Sequence, residues 1–197
     1  MYKRQRKQLA FACLMALNGF ALAHAASAPQ PAAAANPDLA KLEAEDQADR
    51  ASGSGNIDWA VVSQHDAARR DKTLALLRAG VVRSADDYFN AALIFQHGEA
   101  VEDTQLAFSL ATTAARLDPK NSDARMLTAQ AWDRILVKSG KPQWYGTQFS
   151  RDKATGKWVI NPTDPTAVTE AQREAMGIPT LAQTQAHLDA MNARTKP

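Results

Sequence analysis

Helix start and stop signals recur between residues 36 and 140, and they constrain the fold more than any other feature of the sequence. Asn36 and Ser84 are typical helix caps, whereas Gly80, Gly98 and Gly140 are typical residues beyond a helix end. These signals predict five helices, at residues 38–51, 58–79, 84–98, 102–118 and 122–138. The chain is therefore expected to be mainly α-helical.

Apolar residues at helical spacing predict the buried face of each helix. The first helix has only Leu39 and Leu42 as large apolar residues, Ser84 and Asp87 form a capping-box pattern in the third, and Ser122 is the predicted cap of the fifth. The other predicted apolar faces, in chain order, are Trp59, Val62, Ala67, Leu74 and Leu77; Tyr88, Ala91, Ala92 and Phe95; Leu106, Leu110, Ala111, Ala114 and Leu117; and Leu127, Ala131, Ile135 and Leu136.

The last third of the chain follows a different pattern. Residues 144–149 and 157–160 are rich in aromatic and β-branched residues and flank a polar segment, which predicts a short β-hairpin lying on the helices. Asp164-Pro165 predicts a helix that extends to Ala175. Thr180 is the predicted cap of a last helix, which packs through Leu181, Leu188 and Met191. The expected architecture is a helical array with one small β-hairpin in the C-terminal third.

The N-terminus has the composition of a targeting segment. Residues 1–8 hold four basic residues and no acid, residues 9–23 are mostly apolar, and Ala23-His24-Ala25 matches a signal peptidase site. We predict a signal peptide at residues 1–25, an Ala/Pro-rich linker at residues 26–36 and one helical domain at residues 37–197. The mature protein is expected to be periplasmic or secreted, with no further segment able to span a membrane.

Cleavage would also change the chemistry that the chain can perform. It would remove Cys13, the only cysteine, and four positive charges, so the formal net charge would change from +2 to −2. A nucleic-acid partner is therefore not expected, because the basic character belongs to the predicted signal peptide. A thiol nucleophile and a disulfide are excluded for the mature chain.

Residues 140–149 carry an unusual density of polar and aromatic side chains. This segment directly follows the helix that carries Trp132-Asp133-Arg134 near its end, and it contains two glutamines, three aromatic residues and a threonine within ten residues. A structural loop has little need of so many hydrogen-bonding side chains. The composition therefore predicts the rim or floor of a binding site.

Charged residues on the first two helices have a simpler interpretation from spacing alone. Asp46 and Arg50 are spaced for an i,i+4 ion pair on a solvated face, and the charged residues at positions 65–70 are predicted to be solvated as well. His97 falls in the last turn of its helix, where a hydrogen-bonded packing role is expected.

Two resemblances add to this interpretation. Residues 102–138, with the Asp118-Pro119 turn, resemble a single degenerate tetratricopeptide-type helical hairpin. The order of four motifs over residues 39–188 is similar to that of a bacterial family known as a domain of unknown function. These motifs are Asp46-Gln47-x-x-Arg50, Gln96-His97-Gly98, Asp133-Arg134 and Gly140-Lys-Pro-Gln143-x-Tyr145-Gly-Thr147-Gln148. The resemblance implies that the motif residues converge in space, but it supplies no reaction.

Two functions remain open if these residues converge. In the first, they form a polar pocket for a small molecule or peptide, and Arg50 and Arg134 bind a carboxylate. The predicted ligand-binding residues are Asp46, Gln47, Arg50, Gln96, Arg134, Gln143, Tyr145, Thr147 and Gln148. In the second, His97 is the general base of a hydrolase, oriented by Asp133 or Asp46, and Arg134 or amides near Gly146 bind the oxyanion.

Two further interpretations stay open. The helical hairpin could bind a protein partner, or the polar residues could form a hydrogen-bond network that only fixes helix packing. No cofactor and no metal are predicted, because the sequence has no histidine-rich metal spacing; a mononuclear site from His97, Asp46 and Asp133 is a minor alternative.

Overall fold

The computed structural model describes residues 33–51 and 57–194. The predicted signal peptide, residues 26–32 of the predicted linker and residues 52–56 lie outside this part. The described chain contains seven helices and one two-stranded antiparallel sheet, which confirms the predicted mainly α fold with a small hairpin in the C-terminal third. The elements are α1 (Pro37–Ala51), α2 (Trp59–Arg78), α3 (Ala85–Gln96), α4 (Val101–Leu117), α5 (Ser122–Lys138), β1 (Phe149–Arg151), β2 (Trp158–Ile160), α6 (Glu170–Ala175) and α7 (Leu181–Arg194).

The helices α3, α4 and α5 pack on one another in chain order, and α1 packs against α2 and α3. Both large apolar residues of α1, Leu39 and Leu42, are buried in the core between these helices. Small residues let the helices approach closely. The rest of the main core is formed by Val82, Ala91, Ala92, Ile94, Phe95, Ala107, Leu110, Ala111, Leu127 and Ala131.

Capping side chains fix the helix starts and tie distant helices together. The Asn36 side chain accepts hydrogen bonds from the first turn of α1, while its backbone N–H donates to Asp87 of α3 at 2.6 Å. The predicted capping box of Ser84 and Asp87 is present at the start of α3. The predicted cap of α5 is wrong by one residue, because Asn121 accepts the Ala124 N–H at 2.9 Å and Ser122 is already helical.

The predicted boundaries beyond α5 also need correction. Residues 144–148 form a loop instead of a strand, because several of their backbone N–H groups donate to a buried carboxylate on α5. Asp164 does not start a helix; its carboxylate accepts hydrogen bonds from Thr166 within a turn. The helix α6 begins only at Glu170, where Thr169 provides the capping box.

Several predicted packing residues are exposed. Trp59 is 62% exposed, Leu117 54% and Met191 37%, and Ala67 also faces solvent. The buried positions of α2 are instead Val62, Asp66, Arg69 and Thr73, which follow a helical 4-3-4 spacing. The predicted apolar face of α2 was therefore wrong in part, because this helix buries a largely polar face.

The small sheet is fastened to the last helix. Strands β1 and β2 pair with Phe149 opposite Ile160, and the Asn192 side chain of α7 both accepts from and donates to the Trp158 backbone at 2.8 Å. The Asn192 amide therefore hydrogen-bonds the backbone N–H and C=O groups of Trp158 at the outer edge of β2, as a neighbouring strand would. Among the described helices, none is long and apolar enough to cross a membrane.

Candidate functional site

The carboxylate of Asp46 is the centre of a buried charge cluster. Its side chain has no exposed surface, and it lies 3.0 Å from Nη1 of Arg50 and 3.0 Å from Nδ1 of His97. Gln47 donates to the same carboxylate at 3.0 Å, and the Arg69 Nε lies 3.7 Å away. The solvated face predicted for Asp46 is therefore wrong, although its i,i+4 ion pair with Arg50 is present.

The helix α2 contributes the second carboxylate of this cluster. Asp66 accepts hydrogen bonds from Arg50 at 2.6 Å and from Arg69 at 2.7 Å, and Arg69 also contacts Asp49 at 2.8 Å. Burial opposes ionisation of Asp66, but the two guanidinium groups outweigh it and lower the pKa of this carboxyl. Asp66 and Arg69 are 5% exposed, so the prediction that they are solvated was wrong. His65 is about half exposed and contacts Asp49.

The position of His97 at the end of α3 directs its ring toward the cluster. Its Nδ1 is held by Asp46, which leaves Nε2 as the ring nitrogen without a protein partner among the described residues. Gly98 follows directly, and a Cβ at that position would overlap the side chain of Asp103. The glycine thus allows α4 to start close behind the histidine.

Arg134 reaches the same region from α5. Its Nη1 donates to the Gln96 carbonyl oxygen at 2.8 Å, and its Nε donates to the Gln148 side chain at 3.2 Å. Within the described chain, no carboxylate lies within ion-pair distance of this guanidinium. Burial and the nearby charge of Arg50 lower the pKa of Arg134. It is a largely desolvated cation without a counterion.

These side chains surround a cavity of about 370 Å³, here called the arginine pocket. Arg70 adds a third guanidinium, which lies 3.6 Å from Asp103. Glu99 stands at the wall, where it accepts a hydrogen bond from Ser63 at 3.3 Å. The pocket is lined by Arg50, Trp59, Val62, Ser63, Asp66, Arg70, His97, Glu99 and Arg134.

Asp133 has a different environment from its neighbour Arg134. Its buried carboxylate accepts four hydrogen bonds from the loop that follows α5: the N–H groups of Trp144, Tyr145 and Thr147 at 2.8–2.9 Å, and the Thr147 hydroxyl at 2.8 Å. Both carboxylate oxygens are therefore occupied by the loop. The carboxylate that contacts His97 is that of Asp46.

Gln143 is also occupied by the loop. Its fully buried amide donates to the carbonyl oxygens of Gln148 and Asn161 at 3.0 and 2.9 Å and accepts the Gln148 N–H at 2.8 Å. Gln148 connects this loop to the arginine pocket, because its side-chain oxygen accepts from Arg134 and its side-chain nitrogen donates to the Gln130 carbonyl oxygen.

The predicted site residues thus fall into two groups that meet at Gln148. The first group lines or borders the arginine pocket and comprises Asp46, Gln47, Arg50, Gln96, His97 and Arg134. The second group builds the loop beyond α5 and comprises Asp133, Gln143, Tyr145 and Thr147. Only the first group contributes side chains to the charged cavity.

Sequence reasoning did not assign six of the nine lining residues to the site, namely Trp59, Val62, Ser63, Asp66, Arg70 and Glu99. It also missed Arg69, which binds Asp66. The signal for Asp66 and Arg69 was present, since Val62, Asp66, Arg69 and Thr73 repeat at helical spacing. The apolar residues of the same helix led us to predict a different buried face. Trp59 and Glu99 gave no signal beyond their residue types.

The described residues include no cluster of three or more histidine, cysteine or acidic side chains suited to hold a metal ion. Comparisons with protein-family models, with curated proteins and with solved structures found no match.

Proposed function

We propose that the protein is an exported binding module, periplasmic or secreted, that takes the anionic group of a small molecule or peptide in the arginine pocket. The observation that carries this proposal is the largely desolvated guanidinium of Arg134, which has only neutral oxygen partners. Desolvating a cation without a counterion is costly, and a bound carboxylate or phosphate would offset that cost.

The other charges of the pocket support this role. Asp66 is already bound to two arginines, and Glu99 lies at the wall beside Ser63, so neither carboxylate neutralises Arg134. Arg50 and Arg70 provide further guanidinium donors at the same cavity. An anion in the pocket would therefore lie among three guanidinium groups, those of Arg50, Arg70 and Arg134.

A hydrolase is the second candidate, and the Asp46–His97 contact favours it. A buried carboxylate that accepts from Nδ1 would fix the imidazole with Nε2 toward the pocket, as a general base requires. Arg134 would then bind a developing oxyanion. Such an enzyme would use water as the nucleophile, and Asp46 in place of Asp133 would be the orienting residue.

The two resemblances keep the status of predictions. Membership in the uncharacterised bacterial family would agree with a site built from Asp46, His97 and Arg134. The tetratricopeptide-like pair α4 and α5 leaves a protein partner as an alternative ligand.

Isothermal titration of the purified protein with acetate and with inorganic phosphate at low salt tests the proposal. We expect binding that weakens with added salt and falls about tenfold or more in Arg134→Gln, since a charged hydrogen bond contributes roughly 1.5–3 kcal/mol. The matched control is Arg116→Gln, an exposed arginine of α4. Equal anion affinity in both variants, or no anion binding at all, would contradict the proposal; turnover of a bound ester or amide would favour the hydrolase.

A further inference from the structure

A second cavity lies on another face of α5 and has a different chemistry. Its volume is about 330 Å³, and we call it the aromatic pocket. Trp132 lines the aromatic pocket, whereas Arg134 lines the arginine pocket. The two side chains lie on nearly opposite sides of α5, because a helix rotates by roughly 200° over two residues. The lining residues are Phe108, Thr128, Ala129, Trp132, Trp144, Tyr145 and Met176, none of which is charged.

The rings of this pocket are inclined to one another. The Trp132 and Trp144 centroids are 5.0 Å apart at an interplanar angle of 64°, and Phe108 is 5.4 Å from Trp132 at 46°. All three rings line the cavity. Because each π face carries partial negative charge, the arrangement favours a cation over an anion.

The wall formed by Trp144 and Tyr145 is held in place before any ligand binds. Asp133 accepts the backbone N–H groups of both residues. Burial of the Tyr145 hydroxyl raises its pKa, and the negative charge of Asp133 raises it further. The cation of Arg173 donates to the Pro179 carbonyl oxygen and lies beside Gly146, which borders a different cavity; from that side it also interacts with the charge of Asp133. The aromatic pocket is therefore rigid on one side and has a carboxylate behind that side.

We propose that the aromatic pocket binds a quaternary ammonium group. A primary ammonium would need acceptors for its three N–H donors, but both Asp133 oxygens are occupied by the loop and the lining side chains offer only the hydroxyl oxygens of Thr128 and Tyr145. A quaternary ammonium has no N–H to satisfy and loses little hydration on entering an apolar cage. A sugar would leave most of its hydroxyl groups unpaired against this lining.

Choline and its neutral carbon isostere, 3,3-dimethyl-1-butanol, test the proposal because they differ only in the central atom and its charge. We expect choline to shift the Trp132 and Trp144 indole N–H signals in NMR spectra of the ¹⁵N-labelled protein. Its affinity should exceed that of the isostere by about tenfold, as a desolvated cation–π contact implies. The titrations use tetramethylammonium chloride as a second cation and sodium chloride as the ionic-strength reference.

Variants separate this pocket from the rest of the protein. Trp144 is 37% exposed, so Trp144→Ala should fold and should weaken choline binding about tenfold, while Trp144→Phe should retain most of it. Trp158→Phe, on the hairpin, is the matched control. Arg134→Gln should leave choline binding unchanged, which keeps this inference independent of the arginine pocket. Equal affinity for choline and its isostere, or the absence of any choline-induced shift, would overturn the proposal.

Discussion

The carboxylate of Asp46 on α1 lies 3.0 Å from Nδ1 of His97 at the end of α3, although 51 residues separate the two in the chain. The same carboxylate binds Arg50, so one buried group positions two side chains that line the arginine pocket. The packing of α1 on the helical core and the shape of the pocket therefore depend on the same contact.

Loss of the Asp46 charge should destabilise the fold. Asp46→Asn removes one partner from a buried cluster that contains Arg50 and Arg69, and breaking such a pair costs about 3 kcal/mol or more. Urea denaturation monitored by circular dichroism measures the change in the free energy of unfolding. Glu45→Gln, at the neighbouring and exposed position, should change it by less than about 0.5 kcal/mol. An Asp46→Asn protein as stable as the wild type would show that the cluster contributes little.

Asp133 should be essential to the loop beyond α5. Asp133→Asn replaces a charged acceptor of four hydrogen bonds by a group with one acceptor oxygen, which should lower the free energy of unfolding by about 2–3 kcal/mol. It should also change the environment of Trp144, which fluorescence would detect. Asp123→Asn, in the first turn of the same helix, controls for the loss of an exposed carboxylate. Unaltered stability and fluorescence would mean that the loop is held by other contacts.

The acid stability of the protein should depend on Asp87. Burial alone would raise the pKa of this carboxyl, but hydrogen bonds from Arg83, Asn36 and Ser84 outweigh burial and hold it below its ordinary value of 3.8. A carboxyl with a lowered pKa in the folded state stabilises the fold above its unfolded-state pKa. That contribution is lost as the pH falls through the folded-state pKa.

Asp87→Asn should therefore cost about 1–2 kcal/mol at neutral pH, and the difference from wild type should shrink as the medium becomes acidic below about pH 4. Urea denaturation at a series of pH values between about 6 and 2 measures this difference. Asp86→Asn, at the adjacent exposed position, is the control. A difference that stays constant with pH would show that the contribution of Asp87 does not depend on its charge.

Gly146 should tolerate substitution less well than another glycine of similar conformation. Gly146 has φ of +68° and a Cβ there would lie 2.7 Å from Leu181 Cδ2, whereas Gly156 has φ of +69° and open space around it. Gly156→Ala should cost about 1–2 kcal/mol from backbone strain alone, and Gly146→Ala should cost more. The added cost should shrink in the Gly146→Ala/Leu181→Ala double variant, as thermal denaturation would show. Equal costs for the two glycines would contradict the contact.

Local signals predicted the helices well because the interactions that start and end a helix lie within a few residues of one another. The capping box at Ser84 and the stop at Gly98 are present as expected. The errors lie where a distant partner competes with a local preference. Residues 144–148 have strand-like composition, yet their N–H groups bind Asp133 on α5, and Trp59 lies exposed beside the arginine pocket instead of in the core.

The sequence by itself determined the helical class, most helix boundaries and the polar residue types from which the site is built. Tertiary structure alone decided which polar residues meet, because Asp46, Asp66, His97 and Arg134 come from four helices whose relative positions follow from packing. It also separated Asp133 from Arg134. The two are adjacent in the chain but point to different sides of α5, where one organises a loop and the other lines the charged pocket.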